Sequence, residues 1–175
     1  KLTSNYKDLK DRNFFIICVP TPINKKKKPD LKALKLASKI VGKNLHTKDI
    51  VVYESTVFPG CTEDVCIPIL EKFSGLKINK SFYCGYSPER INPEDKKHTL
   101  ENIIKVTSGS NKYSSKIIDK FYKKIIPAGT YCAESIKIAE SAKIIENVQR
   151  DLNIALINEL SLIFERMKLD TYKIL

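Results

Sequence analysis

Short apolar runs alternate with segments of helical periodicity over most of the chain, and this alternation restricts the fold more than any other feature. Each run is bounded by Gly, Pro or polar residues and has the length of a single strand. Strands that alternate with helices predict an α/β domain with a largely parallel sheet. The predicted strands are residues 14–19, 50–53, 82–86, 103–107 and 130–132.

The first apolar run, residues 14–19, shows no alternation of apolar and polar residues and ends at Pro20. Such a run is typical of a strand that is buried on both faces of a parallel sheet. A helix is expected next, because Asp30 is a suitable N-cap and apolar residues then recur at helical spacing as far as Gly42.

The second predicted helix contains a proline. We expect this helix to begin at Cys61 or Thr62 and to end near Gly75, with Pro68 inside it. Because proline has no N–H group to donate and clashes with the preceding turn, the sequence predicts a kink at Pro68.

The segment from about Ser135 to Met167 contains neither Gly nor Pro, and its pattern stays helical throughout. At 1.5 Å per residue this helix is on the order of 50 Å long. That length exceeds the width of a small domain, so we expect part of the helix to pack on another domain or on a second subunit. The apolar residues expected in this contact are Ile154, Ile157, Leu160, Leu162, Ile163 and Phe164.

Lysine dominates the charge of the chain. Its 175 residues carry a formal charge of +11, with 27 lysines and four arginines. Positive charge favours binding to phosphates, but arginine is the usual reader of base edges, and many of these lysines alternate with acidic residues. We therefore expect a solvated lysine-rich surface and no nucleic-acid partner. No apolar run approaches the roughly 20 residues of a membrane span, and we expect a cytoplasmic domain.

Five cysteines occur without a Cys-x-x-Cys pair, and only two histidines accompany them. A disulfide scaffold, a zinc module or another metal site is therefore not expected. Most of these cysteines lie in or beside apolar segments, so we expect most to be buried structural thiols. The six glycines are isolated, so the glycine fingerprint of a dinucleotide-binding loop is absent between Lys1 and Leu175.

Three loops are expected to share one edge of the sheet, because the carboxyl ends of parallel strands lie together and bind ligands in open α/β proteins. Hydroxyl groups in these loops can bond to phosphates, riboses or waters, and they belong to Thr21, Ser55 and Thr56. Glu89, in the third loop, can act as a base. Ser and Thr in turns are more often structural, so each residue taken alone is weak evidence.

A second candidate site lies on the long helix, where Glu140, Lys143, Asn147 and Arg150 share one face. One interpretation is a solvated stripe of charge pairs, which is the usual meaning of such a pattern. The other is a functional site, because Asn is unfavourable in the middle of a helix. A cation and an amide one turn apart can also bind a developing oxyanion. We favour the functional interpretation.

Four ordered motifs cover nearly the whole chain, namely CVPTP at 18–22, ESTVFPGCTE at 54–63, GYSPERINP at 85–93 and AESAKIIENVQRD at 139–151. Together they resemble the UDP-glucose/GDP-mannose dehydrogenase family, and most closely its branch that acts on UDP-N-acetylhexosamines. The resemblance implies the rear half of a Rossmann-like domain with NAD as cofactor. It also implies oxidation of C6 of a UDP-sugar to the acid, by two hydride transfers through a cysteine thioester, for surface polysaccharide synthesis.

The resemblance also implies roles for individual residues. The family pattern places cofactor contacts at Pro20, Thr21, Ser55, Thr56 and Glu89. Thr56 lies in a loop similar to the one that contacts an ordered water, and Glu89 matches the acid that assists thioester hydrolysis. The pair that holds the C6 oxygen is matched by Lys143 and Asn147. Substrate contacts are implied for Arg90, Ile91, Asn92, Lys143, Asn147 and Arg150, while Pro93 replaces a second family glutamate.

The family pattern divides the chain into the end of an NAD domain at residues 1–132 and the start of a central helical dimerisation domain at residues 133–175. It places the glycine fingerprint before Lys1 and the nucleophilic cysteine after Leu175, so the 175-residue chain alone is expected to be inactive. A homodimer is expected, and the sugar epimer stays open. The alternative is a noncatalytic α/β interaction module that dimerises through its long helix, which a longer reading frame with a cysteine motif would exclude.

Overall fold

The computed structural model describes residues 2–90 and 102–175. The chain forms two compact units, one that extends to Ser141 and one that comprises Ala142–Leu175. The first unit contains a sheet of five strands with helices packed against it. The mixed α/β class and the predicted long helix are therefore confirmed.

The strands lie side by side in chain order, and all but one neighbouring pair are parallel. The exception is the antiparallel pair of the third and fourth strands. A largely parallel sheet is thus confirmed, although the sequence did not indicate the one reversal. The strands are β1 (Phe14–Ile17), β2 (Ile50–Tyr53), β3 (Tyr83–Tyr86), β4 (Lys105–Gly109) and β5 (Thr130–Cys132).

Helices cover both faces of the sheet. The side chains of β2 alternate between two apolar clusters, with Val51 and Tyr53 on one face and Ile50 and Val52 on the other. The first face is covered by α1 (Lys32–Gly42) and α2 (Ile67–Ser74), and the second by α3 (Lys112–Lys123). Gly85 of β3 allows the close approach of α3, because a Cβ atom there would lie 2.3 Å from Ile118 Cδ1.

The edge strand β1 differs from its prediction. Ile16 is 40% exposed, and only Phe15 and Ile17 are buried. Among the described residues β1 pairs with β2 alone, so the predicted burial on both faces is not seen in this stretch of chain. The helix predicted after Asp30 begins at Lys32, and its N-cap is Leu31 rather than the predicted Asp30. Asp30 lies one residue earlier, and its Oδ1 accepts a hydrogen bond from the Lys32 N–H at 3.0 Å.

One turn of π-helix at Thr62–Cys66 leads into α2, which places Pro68 near the start of α2 rather than in the middle of one continuous α-helix. The kink predicted at Pro68 stays a prediction. The Ile67 N–H closes this turn by donating to the Thr62 carbonyl, five residues earlier. Pro68 lies in the first turn of α2, directly after the π-helical turn.

The long helix α4 spans Ile136–Arg166, within one residue of its prediction at either end, and a short helix α5 follows at Thr171–Ile174. In the first unit, Ile136 and Ala139 of α4 are fully buried. In the second unit, most apolar side chains of α4 are exposed, including Leu152, Ile154, Leu156 and Leu162. Among the described residues, no helix is both long enough and apolar enough to cross a membrane.

Candidate functional site

The carboxyl ends of β1, β2 and β3 lie in register. Ile17 pairs with Tyr53, and Tyr53 pairs with Tyr86, so the three loops that follow begin at the same edge of the sheet. The clustering that the parallel strands predicted is confirmed. We call this region the carboxyl edge, and it comprises residues 18–22, 54–60 and 87–90.

Two hydroxyl groups tie the first loop of the carboxyl edge to the second. The Ser55 hydroxyl donates to the Val19 carbonyl at 2.6 Å, and the Thr21 hydroxyl donates to the Thr56 carbonyl. Ser55 is buried and Thr21 is half-buried, whereas Thr56 and Pro20 are exposed. Ser55 and Thr21 therefore hold the two loops together, and the Thr56 side chain faces solvent beside them.

Glu140 anchors the end of the second loop. Its fully buried carboxylate accepts the Gly60 N–H at 2.5 Å and the Thr62 N–H at 2.9 Å, at the start of the π-turn. Burial raises the pKa of Glu140, while the hydrogen bonds from Thr62 and Gly60 oppose that rise. Gly60 adopts a φ of +91°, and a Cβ atom there would lie 2.8 Å from Asp64 Oδ2, so glycine is required.

This anchoring role was missed by the sequence analysis, which placed Glu140 on a polar face with Lys143, Asn147 and Arg150. A buried carboxylate that binds two backbone N–H groups serves the loop rather than a ligand. The hydrogen bond to Gly60 joins residues 80 positions apart, which no local pattern indicates.

A buried ion pair lies behind the exposed part of the carboxyl edge. Lys105, the first residue of β4, is only 5% exposed, and its Nζ lies 3.1 Å from Glu54 Oε1. The same Nζ lies 3.4 Å from Glu89 Oε2 and 3.4 Å from the Pro88 carbonyl oxygen. A buried ammonium group requires such partners, because its desolvation is otherwise too costly.

The Glu54 carboxylate accepts two further hydrogen bonds from side chains. The Tyr122 hydroxyl donates to Oε1 at 2.7 Å, and the Cys18 thiol donates to Oε2 at 3.3 Å. Burial and, after it, the negative charge of Glu54 raise the pKa of Cys18 to about 11. The same two causes raise the pKa of Tyr122. Both groups therefore stay protonated at neutral pH and serve as hydrogen-bond donors.

Glu89 lies at the exposed side of this cluster. Its side chain is 42% exposed, compared with 17% for Glu54. The Arg90 N–H donates to Glu89 Oε1 at 2.7 Å, and Arg90 itself is half-buried. The predicted substrate residues Ile91 and Asn92 lie outside the described residues.

Three predicted site residues belong to the second unit. Lys143, Asn147 and Arg150 follow each other at spacings that place them on one side of α4. Lys143 is buried and Asn147 is exposed. Arg150 forms an ion pair with Glu146 one turn earlier, with 2.9 Å between Arg150 Nη2 and Glu146 Oε1.

The five cysteines divide into two groups. Cys61, Cys66 and Cys84 are buried, as expected of structural thiols, whereas Cys18 and Cys132 are exposed. Cys18 lies one residue beyond the end of β1, so its placement in the core was wrong. No cluster of His, Cys, Asp or Glu suited to a metal ion occurs within residues 2–90 and 102–175.

The cluster of Glu54, Lys105 and Tyr122 was not among the predicted site residues. A signal existed for Glu54, because a charged residue directly after a buried strand lies at the carboxyl edge. No comparable signal marked Lys105, which is one of 27 lysines in the chain.

Comparison with known families gives two matches along the chain. Residues 1–126 match the model described as the UDP-glucose/GDP-mannose dehydrogenase family, NAD binding domain. Residues 137–175 match the central domain of the same family.

Individual relatives agree with these matches. The chain is 61% identical over all of its 175 residues to a UDP-N-acetyl-D-glucosamine 6-dehydrogenase of Salmonella typhi. It is 58% identical, over 99% of its length, to a protein of the same description from Pseudomonas aeruginosa. In each comparison the chain spans 41% of the relative. A solved UDP-D-ManNAc dehydrogenase from Pyrococcus horikoshii superposes with a TM-score of 0.92 at 32% identity, over 99% of this chain and 41% of that one.

Proposed function

The chain belongs to the UDP-glucose/GDP-mannose dehydrogenase family, and on that basis we propose that the whole protein oxidises C6 of UDP-N-acetyl-D-glucosamine to the uronic acid with NAD+. The choice of sugar rests on the two relatives of that description, at 61% and 58% identity. We assign the reaction to the cytoplasm and its product to surface polysaccharide synthesis.

The overall reaction converts one primary alcohol, one water and two NAD+ into one carboxylate, two NADH and three protons. Two hydrides leave C6, and the water supplies the second oxygen of the carboxylate. A protein that performs this reaction needs a base for the water and hydrogen-bond donors for the C6 oxygen.

The carboxyl edge suits a dinucleotide, because it offers exposed polar groups at the ends of parallel strands. We assign Pro20, Thr21, Ser55, Thr56 and Glu89 to contacts with NAD. When bound, NAD+ accepts the hydride from C6. The hydrogen bonds from Ser55 to Val19 and from Thr21 to Thr56 fix the backbone of both loops before the cofactor arrives.

We assign the base to Glu89, and one observation carries this assignment. Of the two carboxylates on Lys105, Glu89 is the more exposed, with 42% of its side chain exposed compared with 17% for Glu54. Glu89 can therefore reach a water on the solvent side and take its proton, with Thr56 orienting that water.

The C6 oxygen is assigned to Lys143 and Asn147, whose spacing of one turn lets a cation and an amide donate to the same oxygen. Contacts with the sugar nucleotide are assigned to Arg90, Ile91, Asn92 and Arg150. These roles belong to the substrate-bound whole protein.

We further propose that residues 133–175 begin a dimerisation domain and that residues 1–132 complete the NAD domain. The exposed apolar side chains of α4 in the second unit support a homodimer, because patches of this kind mark interfaces.

The test is to supply the whole protein with NAD+ and UDP-N-acetyl-D-glucosamine and to follow NADH by absorbance. We expect two NADH per sugar and a uronic acid identified by mass spectrometry. The galacto and manno epimers, offered separately, test the choice of sugar. Glu89→Gln should lower kcat by about 100-fold or more, whereas Glu134→Gln, at an exposed position outside the carboxyl edge, should not.

Two results would contradict the proposal. One is a wild-type protein that produces no NADH with any of the three epimers. The other is a Glu89→Gln variant that turns over as fast as Glu134→Gln, which would remove Glu89 from the mechanism.

A further inference from the structure

Lys105 is a buried cation that the proposed mechanism does not use. We propose that Lys105 is a positioning residue that holds the Glu89 carboxylate in its working orientation, with Glu54 as a fixed counter-ion behind it. This inference rests on the proposed function, because it concerns how the base of that reaction is held.

The contacts around Lys105 account for its hydrogen-bonding capacity. An ammonium group has three donors, and three oxygen atoms lie within 3.4 Å of Nζ. These are Glu54 Oε1, Glu89 Oε2 and the Pro88 carbonyl oxygen. Nζ also lies 5.4 Å from the centroid of the Tyr122 ring, which adds a favourable contact with the ring face. The position of the ammonium group is therefore defined from several directions.

The two carboxylates on Lys105 are not equivalent. Glu54 is held by Tyr122 and Cys18, both of which remain protonated at neutral pH, and it is mostly buried. The Glu54 carboxylate is therefore held in position beside the Lys105 ammonium group. Glu89 shares the same cation but extends toward solvent. The ion pair of Lys105 and Glu54 is thus a fixed support that the Glu89 carboxylate contacts.

Glu89 is held at both of its oxygen atoms. Lys105 contacts Oε2, and the Arg90 N–H donates to Oε1 at 2.7 Å. Two such contacts define the plane of the carboxylate as well as its distance from the strand ends. Orientation matters for a base, because a displacement of about 1 Å from the productive geometry can cost about 100-fold in rate.

The reversed direction of β4 explains why Lys105 reaches this place. Tyr86 pairs with Ser108 and the strands are antiparallel, so the start of β4 lies beside the residues that follow β3. A parallel strand would bring its carboxyl end to this edge. The chain therefore delivers a lysine from the beginning of one strand to the loop at the end of another.

The experiment uses the whole protein with Lys105→Met, which keeps much of the stem and removes the charge. We expect kcat to fall by roughly 10- to 100-fold, with the KM for the sugar nucleotide changed by less than about threefold. Lys105→Arg restores the cation and should recover most of the rate. Lys123→Met is the matched control, because Lys123 pairs with Asp119 on the exposed side of α3.

A double-mutant cycle tests whether Lys105 acts through Glu89. If it does, Lys105→Met combined with Glu89→Gln should be no slower than Glu89→Gln alone, within about twofold. Losses that multiply would overturn the proposal. If Lys105→Met does not accumulate as folded protein, Lys105→Gln replaces it in the same cycle.

A second readout needs no substrate. Carbodiimide coupling of Glu89 to an amine, followed by peptide mass analysis, should be faster in Lys105→Met than in the wild type or in Lys123→Met. An unchanged coupling rate, or a Lys105→Arg variant as slow as Lys105→Met, would overturn the proposal. Wild-type protein that turns over no UDP-N-acetylhexosamine would instead refute the proposed function, and the coupling rates would still decide whether Lys105 holds Glu89.

Discussion

The two units of the chain differ in how far their apolar side chains are buried and their charged side chains are paired. In the unit that extends to Ser141, apolar side chains from both faces of the sheet are buried, and the buried charged groups of Lys105 and Glu140 have polar partners. In the unit Ala142–Leu175, most large apolar side chains are exposed. The first unit therefore buries its apolar side chains between its own sheet and helices, whereas the second presents an exposed apolar surface.

The largest expected effect concerns that surface. Ile154 is 56% exposed, so Ile154→Glu should leave the fold of the chain intact and weaken self-association. Burying an unpaired carboxylate in the interface should raise the dissociation constant by about 1,000-fold, or about 4 kcal/mol. Sedimentation equilibrium of the protein that carries this segment measures the change.

The control for this variant is Gln149→Glu, which adds the same charge at a position that is already polar and exposed. Wild-type protein that remains a monodisperse monomer at high concentration would show that the apolar surface has another purpose.

The next largest effect concerns the buried hydrogen bonds of Glu140 in the first unit. Glu140→Ala leaves the N–H groups of Gly60 and Thr62 buried without their acceptor. We expect the free energy of unfolding to fall by about 3 kcal/mol, measured by urea titration with far-UV circular dichroism. Glu159→Ala, the corresponding change at an exposed position of the second unit, should cost less than about 0.5 kcal/mol. If both variants lost the same free energy of unfolding, the buried partners of Glu140 would not distinguish the first unit from the second.

A smaller effect is expected at Asp119, which joins α3 to the sheet. It accepts hydrogen bonds from Thr107 at 3.0 Å and from Thr130, and it pairs with Lys123 at 2.7 Å. Burial raises the pKa of Asp119, but the hydrogen bonds from Lys123, Thr130 and Thr107 outweigh it, so the pKa lies below its ordinary value of 3.8. Asp119→Asn should cost about 1–2 kcal/mol at neutral pH.

The pH dependence of this loss has a defined sign. A depressed folded-state pKa stabilises the protein above the unfolded value of 3.8, and that stability is lost as the pH falls through the folded-state pKa. The difference between wild type and Asp119→Asn should therefore shrink below pH 3.8. A difference that stays constant across that range would show that the ionised form of Asp119 does not carry the effect.

The smallest expected effect is a difference in alkylation rate between the two exposed thiols of the first unit, Cys18 and Cys132. At pH 8 a pKa of about 11 leaves Cys18 with few thiolate groups, so iodoacetamide should modify it about tenfold more slowly than Cys132. Glu54→Gln removes the adjacent negative charge and should narrow this gap. Peptide mapping over time measures both rates, and equal rates in the wild type would exclude the influence of Glu54.

Local patterns sufficed for the elements of this fold. The strand β2 and the helix α4 were predicted almost to the residue. A short run rich in β-branched residues favours a strand, and a long stretch of helical periodicity without Gly or Pro favours a helix. The loops of the carboxyl edge were also predictable, since parallel strands end together. The exposure of Ile16 was not, because it depends on which strand lies at the edge.

By itself the sequence determined the approximate positions of the five strands, of the long helix and of the polar loops, because neighbours in the chain decide those features. Only the tertiary structure decided that β4 reverses and that Lys105 meets Glu54 and Glu89. It also decided that Glu140 binds the backbone at Gly60, 80 residues away. The physical reason is that a buried charge takes whichever partner the packed chain brings within hydrogen-bond distance, and that partner lies far away in sequence.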